Sequence, residues 1–145
     1  MAERARVIVV GVDGSGLSKA ALRWAIRQAK LTGAAVQAVT AWRYPVGYGM
    51  GPIHSGSDFE TTAKQVLTEA LAEVSGLDPE VPVRPLVIEG HAAEVLVSAA
   101  CGAELLVVGS RGHGGFTSAL LGSVSLYCVL HAHCSVLVVR DGCGT

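Results

Sequence analysis

The most constraining feature of the chain is the run Leu105-Leu106-Val107-Val108, which breaks at once into Gly109-Ser110-Arg111-Gly112-His113-Gly114-Gly115. Four apolar residues rich in Val are too few for a helix and read as a buried strand. The glycines that follow lack Cβ atoms, so backbone N–H groups there can approach a ligand closely. After Phe116 to Leu121 comes Gly122-Ser123, and then a helical pattern. A glycine turn at the carboxyl end of a strand, facing a helix N-terminus, is a place where N–H groups and the helix dipole hold phosphate oxygens.

The rest of the chain repeats the alternation of strand and helix. Arg6–Gly11 is a continuous apolar strand that stops at Asp13-Gly14-Ser15-Gly16, with Ser15 or Ser18 as the N-cap of a helix over Leu17–Leu31. In that helix Leu17, Ala21, Trp24, Ala25 and Gln28 or Ala29 form the inner stripe, and Gly33 terminates it. Ala35–Trp42 is the second strand. Arg43–Ser57 has little periodicity and reads as a long loop, and Asp58 caps a helix over Phe59–Val74. Val81–Ile88 is the third strand, placed at a sheet edge by Pro82 and Pro85, which lack the ladder N–H. A third helix over Ala92–Cys101 closes at Gly102. Then come a strand over Glu104–Gly109, a helix from about Val124 to Ala132 and a last strand over Val136–Arg140.

Strands alternating with helices imply a single α/β domain over residues 1–145, a doubly wound, Rossmann-like parallel sheet with helices on both faces. Ligands of such sheets sit beyond the carboxyl ends of the strands, where the strand order reverses. The breaks after the first and fourth strands fall at such ends. If those strands are neighbours, both turns flank one crevice.

Composition narrows the function classes. The net charge is −1 with no basic stripe, which argues against nucleic acid as a partner. No run approaches the ~20 apolar residues of a membrane-spanning helix, and Val7–Val10 is too short for a signal segment, so a cytoplasmic location is expected. The four cysteines Cys101, Cys128, Cys134 and Cys143 form no CxxC pair, and no disulfide framework is expected. Cys128 and His131, three apart on a helix with His133 and Cys134 nearby, lack the spacing of a standard metal site, so no protein metal centre is assigned.

Two established nucleotide signatures are missing. GxxxxGK[ST] does not occur, and Gly11-x2-Gly14-x-Gly16 is not GxGxxG. For Asp13 two readings stand: it contacts a base, a ribose hydroxyl or a metal ion, or it closes an Asx turn before the helix. His113 either donates to a phosphate or faces solvent. Arg111 either clamps a phosphate or stands exposed. Trp24 and Trp42 are core or pocket walls, and the Tyr44–Tyr48 segment is a candidate cover for a base.

Gly109-x2-Gly112-x9-Gly122-Ser123 resembles the ATP-binding signature of the universal stress protein family. The similarity extends over nearly the whole chain. Val7 to Ser15 resembles the family's opening strand and turn, and Ala20-Leu22-Trp24-Ala25 its first helix. Leu105 to Gly112 and Gly122 to Ala132 resemble its C-terminal half. Two positions depart from the pattern: Ser135 follows Cys134 where the family usually has Pro, and Glu104 replaces an Asp. The first is expected to loosen entry to the fifth strand.

The resemblance implies a sheet of order 3-2-1-4-5, a homodimer through Val136, Leu137, Val138 and Val139, and ATP as ligand, with Mg2+. It implies a regulatory role under stress such as starvation, hypoxia or oxidants, exerted through a partner the sequence does not identify. By the same resemblance, backbone at Thr40 and Ala41 reads the adenine edge. Gly11, Val12 and Gly109 border the ribose and Asp13 contacts the nucleoside. Gly112, Gly122, Ser123 and Val124 hold the phosphates, with Ser110, Arg111 and His113 in the same loop. Gly122→Val is expected to thrust a side chain into the phosphate nest. No catalytic side chain is assigned. A slow ATPase or phosphotransferase, and a dimerisation module that binds no nucleotide, are the competing functions.

Overall fold

The computed structural model describes residues 6–44, 56–74, 76–112 and 121–140. Along the chain run β1 (Val7–Gly11), α1 (Gly16–Thr32), β2 (Ala35–Trp42), α2 (Gly56–Val74), β3 (Val83–Glu89), α3 (Ala92–Ala99), β4 (Leu105–Gly109), α4 (Ser123–His131) and β5 (Ser135–Val139). The strands form one parallel sheet of order β3-β2-β1-β4-β5. Helices α1 and α2 cover one face and α3 and α4 the other.

The two innermost strands, β1 and β4, are apolar along their whole length because both of their faces are buried. Ile8, Val9 and Val10 of β1, and Leu106, Val107 and Val108 of β4, are almost wholly inaccessible to solvent. Alternate side chains feed two cores. Ile8, Val10 and Val107 join Leu22, Ile26 and Leu67 beneath α1 and α2, whereas Val9, Leu106 and Val108 join Val95, Leu96 and Cys128 beneath α3 and α4. At about 25 cal/mol per Å2 each such buried side chain stabilises the fold by roughly 1.5–3 kcal/mol.

Several boundaries differ from the sequence expectation, each for a local reason. The buried stripe of α1 is Ser18, Ala21, Leu22, Ala25, Ile26 and Ala29, with Trp24 half-buried at its margin in place of a central role. Gly33 does end α1, at φ 77°, with its N–H donating to the Ala29 carbonyl at 2.8 Å. Asp58 is not the N-cap of α2: the helix begins at Gly56, and Asp58 sits in its first turn, where the positive end of the helix dipole favours a carboxylate. α3 stops at Ala99, short of Cys101.

β3 begins two residues later than expected, after Pro82, whose carbonyl still accepts from Val36 N–H at 2.8 Å. It occupies the sheet edge and accommodates Pro85 there. β5 begins at Ser135, which pairs with Leu105, so the serine starts the strand in register where the pattern's proline would stand. Among the described residues no helix is long and apolar enough to cross a membrane.

Candidate functional site

β1 and β4 are hydrogen-bonded neighbours, with Ile8 opposite Leu105 and Val10 opposite Val107. From β1 the chain proceeds to β2 on one side, and it later returns to β4 on the other. The order therefore reverses between these two strands, and a crevice opens beyond their carboxyl ends. A cavity of about 450 Å3 occupies it. Gly11, Val12, Asp13, Ala41, Gly109, Arg111, Gly112, Gly122, Ser123 and Val124 line this cavity, all of them residues the sequence singled out.

The structure adds residues that the sequence did not assign to the site. Leu96 and Ala92 of α3, Val39 of β2 and Val108 of β4 supply apolar wall, and Ser15, Ser18 and Ser125 supply hydroxyls. Leu96 belongs to the apolar stripe of a short helix, and only the crossing of α3 behind β1 brings it to the cavity. Its Cδ1 lies 2.8 Å from where a Cβ on Gly11 would be, so the absence of that Cβ gives Leu96 its place.

Three predicted residues stand differently from the rest. Thr40 lies outside the cavity lining; its buried hydroxyl donates to the Val12 carbonyl at 2.8 Å and braces the exit of β1. Ser110 is also buried behind the lining, with its N–H donating to the Val139 carbonyl at 2.7 Å. His113 falls outside the described residues. So does Tyr48, while Tyr44 stacks edgewise between Trp42 and Phe59, with ring centroids 5.9 and 5.6 Å away.

Of the two readings of Asp13, the Asx turn is the one the structure shows, and the side chain also lines the cavity. Its Oδ1 accepts from Ser15 N–H at 2.9 Å and from Ser15 Oγ at 2.5 Å, which is an Asx turn at the entry to α1. The same Ser15 hydroxyl accepts from Ser18 N–H at 3.2 Å and caps the helix. The second carboxylate oxygen lies across the cavity mouth against Gly112, where any Cβ would strike it. Asp13 and Arg111 are the charged side chains of the lining among the described residues.

The two glycine turns touch. Gly122 N–H donates to the Ser110 carbonyl at 2.6 Å, so this amide is committed within the protein. A Cβ on Gly122 would meet Ser110 O at 3.4 Å and the Arg111 Cα at 3.5 Å, ordinary contact distances, so a single methyl would point at the neighbouring turn rather than into the cavity and only a larger side chain would push the turn aside. Ser123 and Val124, at the start of α4, carry amides without an intrahelical acceptor, since the first turn of any α-helix leaves them over. Gly109 serves packing: a Cβ there would lie 2.9 Å from the Leu17 Cβ and 3.1 Å from its carbonyl carbon.

All four buried polar side chains among the described residues (Ser18, Thr40, Ser110 and Ser125) belong to this end of the sheet. The far end is different. There the buried Cys128 and the half-buried Cys134 sit in the core under α4, and among the described residues no group of three or more metal-binding side chains occurs. His131 is exposed and rests on the Tyr127 ring, with centroids 4.3 Å apart.

Comparison with known proteins agrees with this architecture. The model of the universal stress protein family matches residues 4–140. A universal stress protein of Mycobacterium tuberculosis is 40% identical over 135 residues, which cover 92% of this chain and 45% of that protein. The chain thus spans about half the length of the curated relatives it matches. A solved universal stress protein in complex with cAMP superposes with a TM-score of 0.74 at 24% identity, over 97% of this chain and 100% of that one. The universal stress protein of Archaeoglobus fulgidus in complex with dAMP gives 0.70 at 21% identity, over 94% and 98%.

Proposed function

We propose that this chain, which belongs to the universal stress protein family, binds an adenine nucleotide in the cavity between β1 and β4, with ATP as its ligand. The observation that carries the reading is the convergence of two glycine turns and the first turn of α4 on one face of a 450 Å3 cavity, with Asp13 opposite. The solved relatives bound to cAMP and dAMP support an adenine nucleotide as the ligand class.

The residues present suit such a ligand. Val39, Ala41 and Leu96 offer an apolar slot for a flat base, and backbone at the end of β2 offers the polar groups that read its edge. Gly11 and Val12 border the ribose, and the outer oxygen of Asp13 fits a ribose hydroxyl or a Mg2+ ion accompanying the phosphates. The amides of Gly112, Ser123 and Val124, with the positive end of the α4 dipole, face phosphate oxygens. Arg111 adds the cation of the lining. The role is regulatory: bound nucleotide acts through different affinities for two states of a homodimer joined at β5, or of its partner.

Denaturing the purified protein, identifying any released small molecule and measuring ATP turnover tests this. Released ATP or submicromolar ATP affinity with negligible turnover is the expected result. Steady ADP production lost in Asp13→Asn and Ser123→Ala would replace the reading with an ATPase. Absence of any adenine-nucleotide affinity would leave only a dimerisation module.

A further inference from the structure

The Ser110 carbonyl receives two donors, one from the N-cap of α4 and one from α4 itself. One is the Gly122 N–H at 2.6 Å, and the other is the Ser125 hydroxyl at 2.8 Å. The hydroxyl also lies 3.1 Å from the Gly122 carbonyl. Each carbonyl already accepts one backbone N–H, and the shorter contact, at 2.8 Å, places the single hydroxyl proton on Ser110. On its other side, Ser110 N–H is fixed to Val139 at 2.7 Å. The peptide between Val108 and Arg111 is thus pinned to β5 on one side and to α4 on the other.

We infer that Ser125 is a positioning residue for the phosphate half of the site: its hydroxyl sets the separation between the Gly109–Gly112 turn and the amides of Ser123 and Val124. The inference rests on the nucleotide reading and deepens it. Ser125 borders the cavity but is 2% exposed, and its hydroxyl proton is given to the Ser110 carbonyl rather than to the cavity. Its bond spans fifteen positions of sequence and joins two turns that, among the described residues, are otherwise hydrogen-bonded through the Gly122 amide. Buried hydrogen bonds of this kind hold ligand-facing groups in register, and small errors of register are costly to charged ligands. The base and ribose contacts arise from β1, β2 and α3, which Ser125 does not touch through any of these bonds.

Calorimetric titration of ATP, AMP and adenosine into wild type, Ser125→Ala and Ser125→Thr tests the assignment, with adenosine read by competition against ATP. In Ser125→Ala the ATP and AMP affinities fall about tenfold, whereas adenosine changes less than about twofold. Ser125→Thr restores the hydroxyl and with it ATP affinity, which a role in filling space would not do. Equal weakening of adenosine and ATP, unchanged ATP affinity in the alanine variant, or failure of threonine to rescue overturns the inference. A Ser125→Ala chain that no longer folds also overturns it, because the hydroxyl would then serve the whole fold. Wild type that binds neither ATP nor AMP overturns the nucleotide reading and the inference together.

Discussion

At the scale of single residues, the site is defined by what glycine leaves out. Gly122 adopts an ordinary extended backbone, φ −75° and ψ 174°, so its identity does not answer to conformational strain. The nearest atoms to an added Cβ are at 3.4 and 3.5 Å, normal contact distances. Alanine should be tolerated there, with ATP affinity within about twofold of wild type, because one methyl fills space already at contact. Valine should lose about tenfold or more, because its branches press the Ser110–Arg111 turn away from α4. Equal affinities for the two variants in the same titration would show that the turns are not in register with the ligand. Cys128 makes a second prediction. Burial, and then the nearby Cys134, push its thiol from 9.0 up to about 11. The folded state therefore holds the proton more tightly than the unfolded chain. The resulting stability is complete below pH 9 and is lost as pH rises towards 11. Urea midpoints followed across that window should fall more steeply in wild type than in Cys128→Ala; parallel profiles would contradict it.

At the scale of elements, α1 rides unusually close to the sheet because Gly109 has no side chain beneath it. A Cβ there would press on backbone atoms of Leu17 at 3.1 and 3.2 Å, which cannot rotate away. Gly109→Ala should therefore destabilise the protein by about 1–3 kcal/mol, seen as a lower urea midpoint with unchanged slope, and a shift of under a few tenths would show that α1 slides freely. The strands were legible in the sequence for a related reason. Burial on both faces turns β1 and β4 into unbroken apolar runs of four, and the partly buried β5 carries a run of the same length. The glycine turns were legible because close backbone approach admits few other residues. The start of α2 was not legible, since Gly56-Ser57-Asp58 has the composition of a turn and enters a helix nonetheless. The hydroxyl clamps were hidden as well. A serine in sequence can cap, face water or reach a distant carbonyl, and nothing local to Ser125 points to Ser110. The strand order came from family resemblance and not from periodicity, which gives alternation but no neighbours.

At the scale of the molecule, β5 closes one side of the sheet with a short apolar strand, and its relation to β4 fixes how a second copy could add to it. Val139 turns its carbonyl towards β4, where Ser110 N–H meets it. Groups alternate along a strand, so Leu137 and Ser135 also address β4, whereas the amides of Val136 and Val138 point away from it. The outward pair is what a partner's β5 would engage in the proposed homodimer, and exposed edges of this kind are the usual templates for strand addition. Beside it, Leu126, Val129 and Leu130 of α4 are exposed apolar residues at 46%, 46% and 67%. Val138→Pro removes one outward donor and leaves the β4 ladder its own, and an edge strand is where proline is tolerated. Sedimentation of wild type at twice the chain mass, and of Val138→Pro at the chain mass with its thermal transition retained, is the expected result. A variant that stays dimeric would move the interface off β5, and a monomeric wild type would remove the dimer from the account of how nucleotide binding is transmitted.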